Sequence, residues 1–287
     1  VWHRFAGKSF VWYRKQAFEE RGYEIPANWN ELIDLTQRIS AEGDSAWCIG
    51  IESGVATGWI ATDWTEDLLL RTAPLEEYDA WVAGDLPFDS ARVRTVIELW
   101  SEIWFNPEFA YGGREFIVNS SFFDAIMPMF DDPPSCLLHK QGSFLTGLLP
   151  EGLEYGRDYG VFYFPAHDED LGRPMLIAGD MMGMFNDRDE VRAVMEYFTT
   201  PESTLAWTQK GTAFSPHLQA GPDMYGTELA RDLAAIVEEA TSFRFDGSDQ
   251  MPGEVGTGSF WHMMTEYVAG AVDLDTAMRE IDDSWPR

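Results

Sequence analysis

The sequence predicts an α/β fold, and three observations carry that expectation. Short β-prone runs alternate with segments of helical apolar spacing. The 287 residues, 45% of them hydrophobic, are enough for one large core or two smaller ones. From about residue 226 the pattern turns mainly helical, as befits elements that return to cover an earlier domain.

Taken in order, "SFVWYRKQAF" (9–18) reads as a short strand passing into helix. Pro26 then precedes Asn28, a predicted N-cap, with Glu31 three residues on as in a capping box and Leu32, Leu35 and Ile39 as the apolar stripe. "AWCIGIE" (46–52) reads as a buried strand, "SGVATG" as a glycine-rich turn and "WIATDWTEDLLLRTA" as a helix. Val93, Val96, Ile97, Trp100, Ile103 and Trp104 recur at helical spacing, which makes those two tryptophans core. "SCLLHKQGSF" (135–144) and "DYGVFYFP" (158–165) read as strands, the second stopped by proline. "MLIAGDMMGMF" reads as a strand with a Gly-Asp break. Asp187 and Glu190 form a second capping pair before the face Val191, Val194, Met195, Phe198. In the tail, Leu229, Leu233, Ile236 and Val237, then Phe260, Met263, Met264 and Tyr267, then Leu274, Met278 and Ile281 mark three helices. Between them "RFDGSDQMPGEVGTG" reads as a turn-rich loop.

Charge narrows the function classes. Twenty Lys+Arg against 49 Asp+Glu give a formal charge of −29, which repels nucleic-acid phosphates and anionic lipid surfaces. Only Lys8, Lys15, Lys140 and Lys210 are lysines, so the acidity reflects a salty habitat as readily as a function. No apolar run approaches the roughly 20 residues of a membrane span. The start, "VWHRFAGKSF", lacks the pattern of a signal peptide and reads as entering mid-domain. The five histidines and two cysteines show no metal-ligand spacing, and no cofactor motif is present. Cys48 and Cys136 are open to two readings, buried thiols or a long-range disulfide. "GEVGTG" (253–258) is a turn rather than a phosphate loop, "DGSD" and "DED" fall short of a calcium loop, and Asp131-Asp132 before Pro133-Pro134 is a solvated turn.

The distinctive chemistry is aromatic: Phe, Trp and Tyr make up 14% of the chain, with 12 tryptophans. A sugar has apolar C–H faces and a rim of hydroxyls, so its site needs flat rings with a few acceptors and amide donors. "GWIATDW" (58–64) supplies both. On a helix Trp59 and Asp63 share a side while Trp64 is rotated about 140° from Trp59. One ring can face a ligand while the other packs inward. The abundance of carboxylates also leaves open a glycan-processing hydrolase with an acid/base pair.

Several ordered motifs carry a family resemblance. "SFVWYRKQAFEERGYEIPANWNELIDL" is similar to the crossover segment of extracellular solute-binding proteins of sugar ABC transporters, the maltose-binding-like family. "WCIGIESGVATGWIATDWTEDLLLRTA", "MFDDPPSCLLHKQGSF", "YGVFYFP", "AGDMMGMFND" and "SDQMPGEVGTGSFW" resemble its α-glucoside-binding branch. The resemblance implies a two-lobed, periplasmic-binding-protein type II-like α/β fold, the second lobe essentially complete and the first partial. Residues 1–13 would be an inter-lobe crossover strand, 14–165 the second lobe, 166–215 a returning segment of the first lobe, and 216–287 C-terminal helices packing on the second lobe.

By the same resemblance the protein is a non-enzymatic, monomeric receptor, periplasmic or extracellular. It would close by hinge motion around an α-glucoside oligosaccharide and present it to ABC permease subunits, with no cofactor or metal. An isolated second lobe without binding activity is the further alternative. Carried over position by position, ligand contacts are expected at Trp59 and Asp63, at Gln141, Ser143 and Phe144 around Gly142, at Gly179 and Asp180, and at Asp249, Met251 and Trp261. The resemblance also implies a Cys48–Cys136 disulfide, which a Cα separation beyond about 7 Å would exclude.

Overall fold

The computed structural model describes residues 1–286. In chain order the elements are β1 (Trp2–Gly7), β2 (Phe10–Tyr13), α1 (Lys15–Arg21), α2 (Trp29–Ala41), β3 (Ser45–Trp47), α3 (Trp59–Thr72), α4 (Leu75–Ala83), α5 (Ala91–Trp104) and α6 (Gly113–Asn119). There follow β4 (Cys136–Lys140), β5 (Gly160–Tyr163), β6 (Pro174–Met181), α7 (Asp189–Tyr197), α8 (Leu205–Thr208), α9 (Glu228–Glu238), β7 (Ser242–Phe245), α10 (Gly247–Gln250), α11 (Trp261–Ala269) and α12 (Leu274–Asp283).

The strands form two sheets, one of three strands in the order β1-β6-β7 and one of four in the order β3-β4-β2-β5. The expected single crossover strand over 1–13 is thus two strands, one in each sheet, joined at Lys8–Ser9. Successive residues of a strand face opposite ways, and β2 uses this to divide the apolar interior. Val11 joins the larger core cluster, whereas Phe10 and Trp12 join the smaller one.

Asn28 caps α2 as the spacing predicts: its Oδ1 accepts from Glu31 N at 3.0 Å, and Glu31 Oε2 accepts from Ala27 N at 2.8 Å. Leu32, Leu35 and Ile39 are buried, as are Trp100 and Trp104 on α5. Cys48, just after β3, and Cys136, opening the neighbouring β4, are joined by a disulfide with Cα atoms 5.5 Å apart.

Four local expectations are corrected. The strand at 46–52 leaves the ladder after Trp47, because Ile51 N and Glu52 N turn to Ile117 O in α6 and Ser120 O at its C-terminal end. Asp187 does not cap α7; Arg192 holds both its oxygens, and Arg188 takes the N-cap position without a side-chain bond. "GEVGTG" is part of a π-helical stretch, Glu254–Phe260, rather than a turn. Gly256 is required there, since a Cβ would lie 1.8 Å from Ser248 O. Finally, 216–287 does not consist only of helices covering the larger sheet. Its Ser242–Phe245 pairs in parallel with β6, and α9 packs Leu229 and Leu233 beside Met175, Ile177 and Phe214. The larger cluster takes α11, α12 and, ahead of them, Met251, Val255 and Phe260.

Three stretches of chain therefore pass between the sheets: Lys8–Ser9, the segment 164–173, and the segment from Asp246 into α10.

Candidate functional site

The N-terminal turn of α3 and that of α11 meet at Gly58. Its φ of 109° is a left-handed conformation, and a Cβ there would lie 2.2 Å from Trp261 O, so only glycine lets the two helices approach. The approach brings Trp59 and Trp261 into one region. Trp59 is half-buried, with ring centroids 5.2 Å from Phe122 and 5.9 Å from Phe144. Trp261 directs Nε1 at Ser248 Oγ, 3.4 Å away. Trp64 faces the other way and is fully buried against Trp47, Trp104 and Phe164, at 5.4, 5.7 and 5.4 Å.

Beside Phe144 opens a cavity of about 290 Å³ between the two sheets. Phe144 and Asp249 line it on one side, and Arg4, Phe5, Gly179, Asp180 and Thr212 on the other. Arg4 lies flat on Trp207 with its guanidinium carbon 3.6 Å from the ring centroid, and pairs with Asp180 at 2.5 Å. Partial burial and the neighbouring Asp246 carboxylate push the Asp249 carboxyl above its ordinary value.

Beneath the rings lies a buried charge network. Lys8 Nζ donates to Asp63 Oδ1 at 2.7 Å and to Asp246 Oδ2 at 2.5 Å. Burial alone would lower the ammonium's pKa, but Asp246, Asp63 and Glu66 outweigh it and hold it above the usual lysine range. The two acids fare differently. Burial pushes Asp63 up to about 7 against the pull of Lys8, whereas Asp246, also opposed by burial, is drawn below its ordinary value by Lys8 and the Ser248 hydroxyl. The ammonium's contact with Asp246 is the shorter of the two. Glu66, raised well above normal by burial and then by Asp246 and Asp63, accepts from Gly247 N at 2.7 Å and Ser248 N at 3.0 Å.

One turn further along α3, Asp67 accepts from Ser9 Oγ at 2.7 Å and pairs with Arg71. Lys140 Nζ lies 3.0 Å from Asp67 Oδ2, off the line of a hydrogen bond, so that contact is ionic. Arg71 also donates to the carbonyls of Phe164, Pro165 and Pro174. One face of α3 thus holds all three crossings through charged side chains.

The expected ligand residues divide accordingly. Trp59, Phe144, Trp261, Asp249, Gly179 and Asp180 lie around the rings and the cavity. Asp63 does not present a free carboxylate: it is 5% exposed and bound to Lys8. Met251 is packed into the larger core cluster. Gln141 and Ser143 are buried behind Phe144; Gln141 Oε1 accepts from Gly142 N, and neither Gln141 Nε2 nor Ser143 Oγ has a protein partner among the described residues.

The sequence reading passed over Lys8, Glu66, Asp67, Arg71, Lys140 and Asp246. A signal existed: Asp63, Asp67 and Arg71 stand four apart on a helix flanked by tryptophans and leucines, and two of the chain's four lysines are their partners.

The family described as bacterial extracellular solute-binding protein matches residues 4–204. The osmoprotective compounds-binding protein GgtB of Synechocystis sp. is 42% identical over 287 residues, which is 100% of this chain and 68% of that protein. The alpha-glucosides-binding periplasmic protein AglE of Rhizobium meliloti is 41% identical over 274 residues, 94% of this chain and 59% of that one. Among solved structures, the bacterial solute receptor AcbH, described as preferring β-D-galactopyranose exclusively, gives a TM-score of 0.77 at 18% identity. The match covers 98% of this chain and 70% of that one. A chitin oligosaccharide binding protein gives 0.76 at 16% identity, covering 98% and 69%. At those identities the likeness is one of fold.

Proposed function

This chain belongs to the bacterial extracellular solute-binding proteins and has the α/β, type II periplasmic-binding fold of their sugar-binding members; from that premise we propose that it captures an α-glucoside oligosaccharide and delivers it to an ABC importer. The observation that carries the proposal is the cavity between the sheets. It has aromatic rings at its margin (Phe144, with Trp59 and Trp261 behind) and a polar rim of Asp249, Asp180, Arg4 and Thr212. Rings stack on the C–H faces of a sugar and the rim bonds its hydroxyls. The choice of α-glucosides draws on the name of the Rhizobium meliloti relative.

The sugar shifts an equilibrium between open and closed arrangements, because it touches both walls only when they approach. The receptor acts as a monomer outside the cytoplasm, its partners being the sugar and the permease subunits.

The geometry favours binding over hydrolysis. Asp63 with a raised pKa beside Asp246 with a lowered one resembles an acid/base pair, yet both are at most 5% exposed and both are bonded to Lys8. They cannot flank a glycosidic bond. Calorimetric titration with maltose, trehalose and sucrose, followed by product analysis, tests the proposal. Saturable binding with the sugar recovered intact supports it; turnover, or no binding across the panel, refutes it.

A further inference from the structure

The aromatic site is built from two separate pieces of chain. Trp59 is carried by α3, whereas Ser248 and Asp249 lie on the third crossing, which begins at Asp246, and Trp261 opens α11 beyond it. Lys8 stands between the pieces. Its ammonium is bonded to Asp63 on the first and to Asp246 on the second, with side chains no more than 8% exposed, and lies 5.2 Å from the centroid of the Trp59 ring.

We propose that Lys8 is a positioning residue for the carbohydrate site: it does not reach the ligand, but it fixes the piece carrying Trp59 against the piece carrying Asp249 and Trp261. The binding readout of this proposal rests on the carbohydrate reading above. Glu66 supplies a second tie, to Gly247 N and Ser248 N, which keeps the two pieces associated when Lys8 is replaced. Loss of Lys8 therefore displaces the site rather than unfolding it.

The surroundings give the proposal a signature that packing alone lacks. Without the ammonium, Asp63, Glu66 and Asp246 confront one another in a buried space. The other charged or titratable groups facing them are Asp67 on α3, Tyr78 on α4, Asp249 on α10 and Lys140 on β4, the last already committed to Asp67. Two buried like charges push the third crossing away from α3. A proton on one carboxyl removes the repulsion and supplies an O–H donor to the other, so acid substitutes for the missing ammonium.

Titration of wild type, Lys8→Met and Lys8→Arg with maltose, trehalose and sucrose at about pH 9 and about pH 5.5 reads this out. Lys8→Met is expected to lose about tenfold or more in affinity at the higher pH and to recover most of it at the lower. Lys8→Arg, which keeps the charge, is expected to stay within about threefold of wild type. Wild-type affinity in Lys8→Met, or a loss equal at both pH values, overturns the proposal.

Fluorotryptophan NMR, with Trp59 and Trp261 assigned through Trp59→Phe and Trp261→Phe, decides the positioning role without any sugar. In Lys8→Met those two resonances are expected to shift while those of Trp100 and Trp104 hold; unmoved resonances refute the role. If the wild type binds no sugar, the carbohydrate reading fails while the NMR result still decides the role of Lys8.

Discussion

Trp64→Ala should be among the most costly single substitutions in this chain. The indole is 1% exposed and sits edge-to-face against three rings: Trp47 at the end of β3, Trp104 on α5, and Phe164 at the start of the second crossing. Truncating a buried Trp to Ala costs about 3–5 kcal/mol in transfer and cavity terms. Each aromatic pair is worth about 0.5–1.5 kcal/mol beyond buried area, which places Trp64 near the upper end at about 5 kcal/mol. Against a typical total of about 5–15 kcal/mol, that is a large share. Urea unfolding followed by far-UV circular dichroism measures it. Trp59→Ala is the control: its ring is half-buried at the site, so the change should cost about 1 kcal/mol of stability and about tenfold or more in sugar affinity. A loss below about 1 kcal/mol for Trp64→Ala, or a greater loss for Trp59→Ala, would refute the division of labour between the two rings.

Other predictions concern the buried polar groups and the disulfide. Burial pushes His139 down to about 4 from 6.5, so the unfolded chain takes up a proton first as pH falls and stability drops through that interval by about 1.4 kcal/mol per unit. His139→Asn should remove that slope in urea melts between about pH 6.5 and pH 4. Asp63, raised from 3.8 to about 7, has the opposite sign: the folded chain keeps its proton longer, so its contribution is lost as pH rises through that window. Asp63→Asn should therefore steepen the loss of stability on acidification; a shallower slope would show that the buried carboxyl is already ionised. The Cys48–Cys136 bridge spans 88 residues, and the chain-entropy relation gives about 4–5 kcal/mol for a loop of that length. Replacing both cysteines with alanine should lower the urea midpoint accordingly, and an unchanged midpoint would contradict the entropic account.

Much of this fold can be read where local chemistry and tertiary packing agree. Asn28 and Glu31 announce the start of α2, and the apolar spacing of α5 announces Trp100 and Trp104 as core. In several of the readings that failed, a partner outside the motif outcompetes the signal within it. Asp187 looks like a cap until Arg192 takes its carboxylate. Arg244 and Phe245 look like the start of a loop until β6 offers their strand an edge. The largest omission was the charged face of α3. Helical amphipathicity assigns Asp63, Glu66, Asp67 and Arg71 to solvent, and nothing local reveals that three crossings lie across them. Hence Asp63 was expected as a free ligand contact and proves to be held by Lys8. The rings Trp59, Phe144 and Trp261 were accessible to sequence reading because a glycine turn or strand end precedes each of the first two, and sugar chemistry asks for such rings at such places.

The most direct test of the account is a crystal structure of this chain grown with the tightest-binding sugar of the maltose, trehalose and sucrose panel. An intact sugar is expected in the cavity between the sheets. A ring face should lie about 4 Å from Trp59, Phe144 or Trp261, and a hydroxyl should be bonded to Asp249. Sugar bound elsewhere on the molecule, or found cleaved, would contradict it.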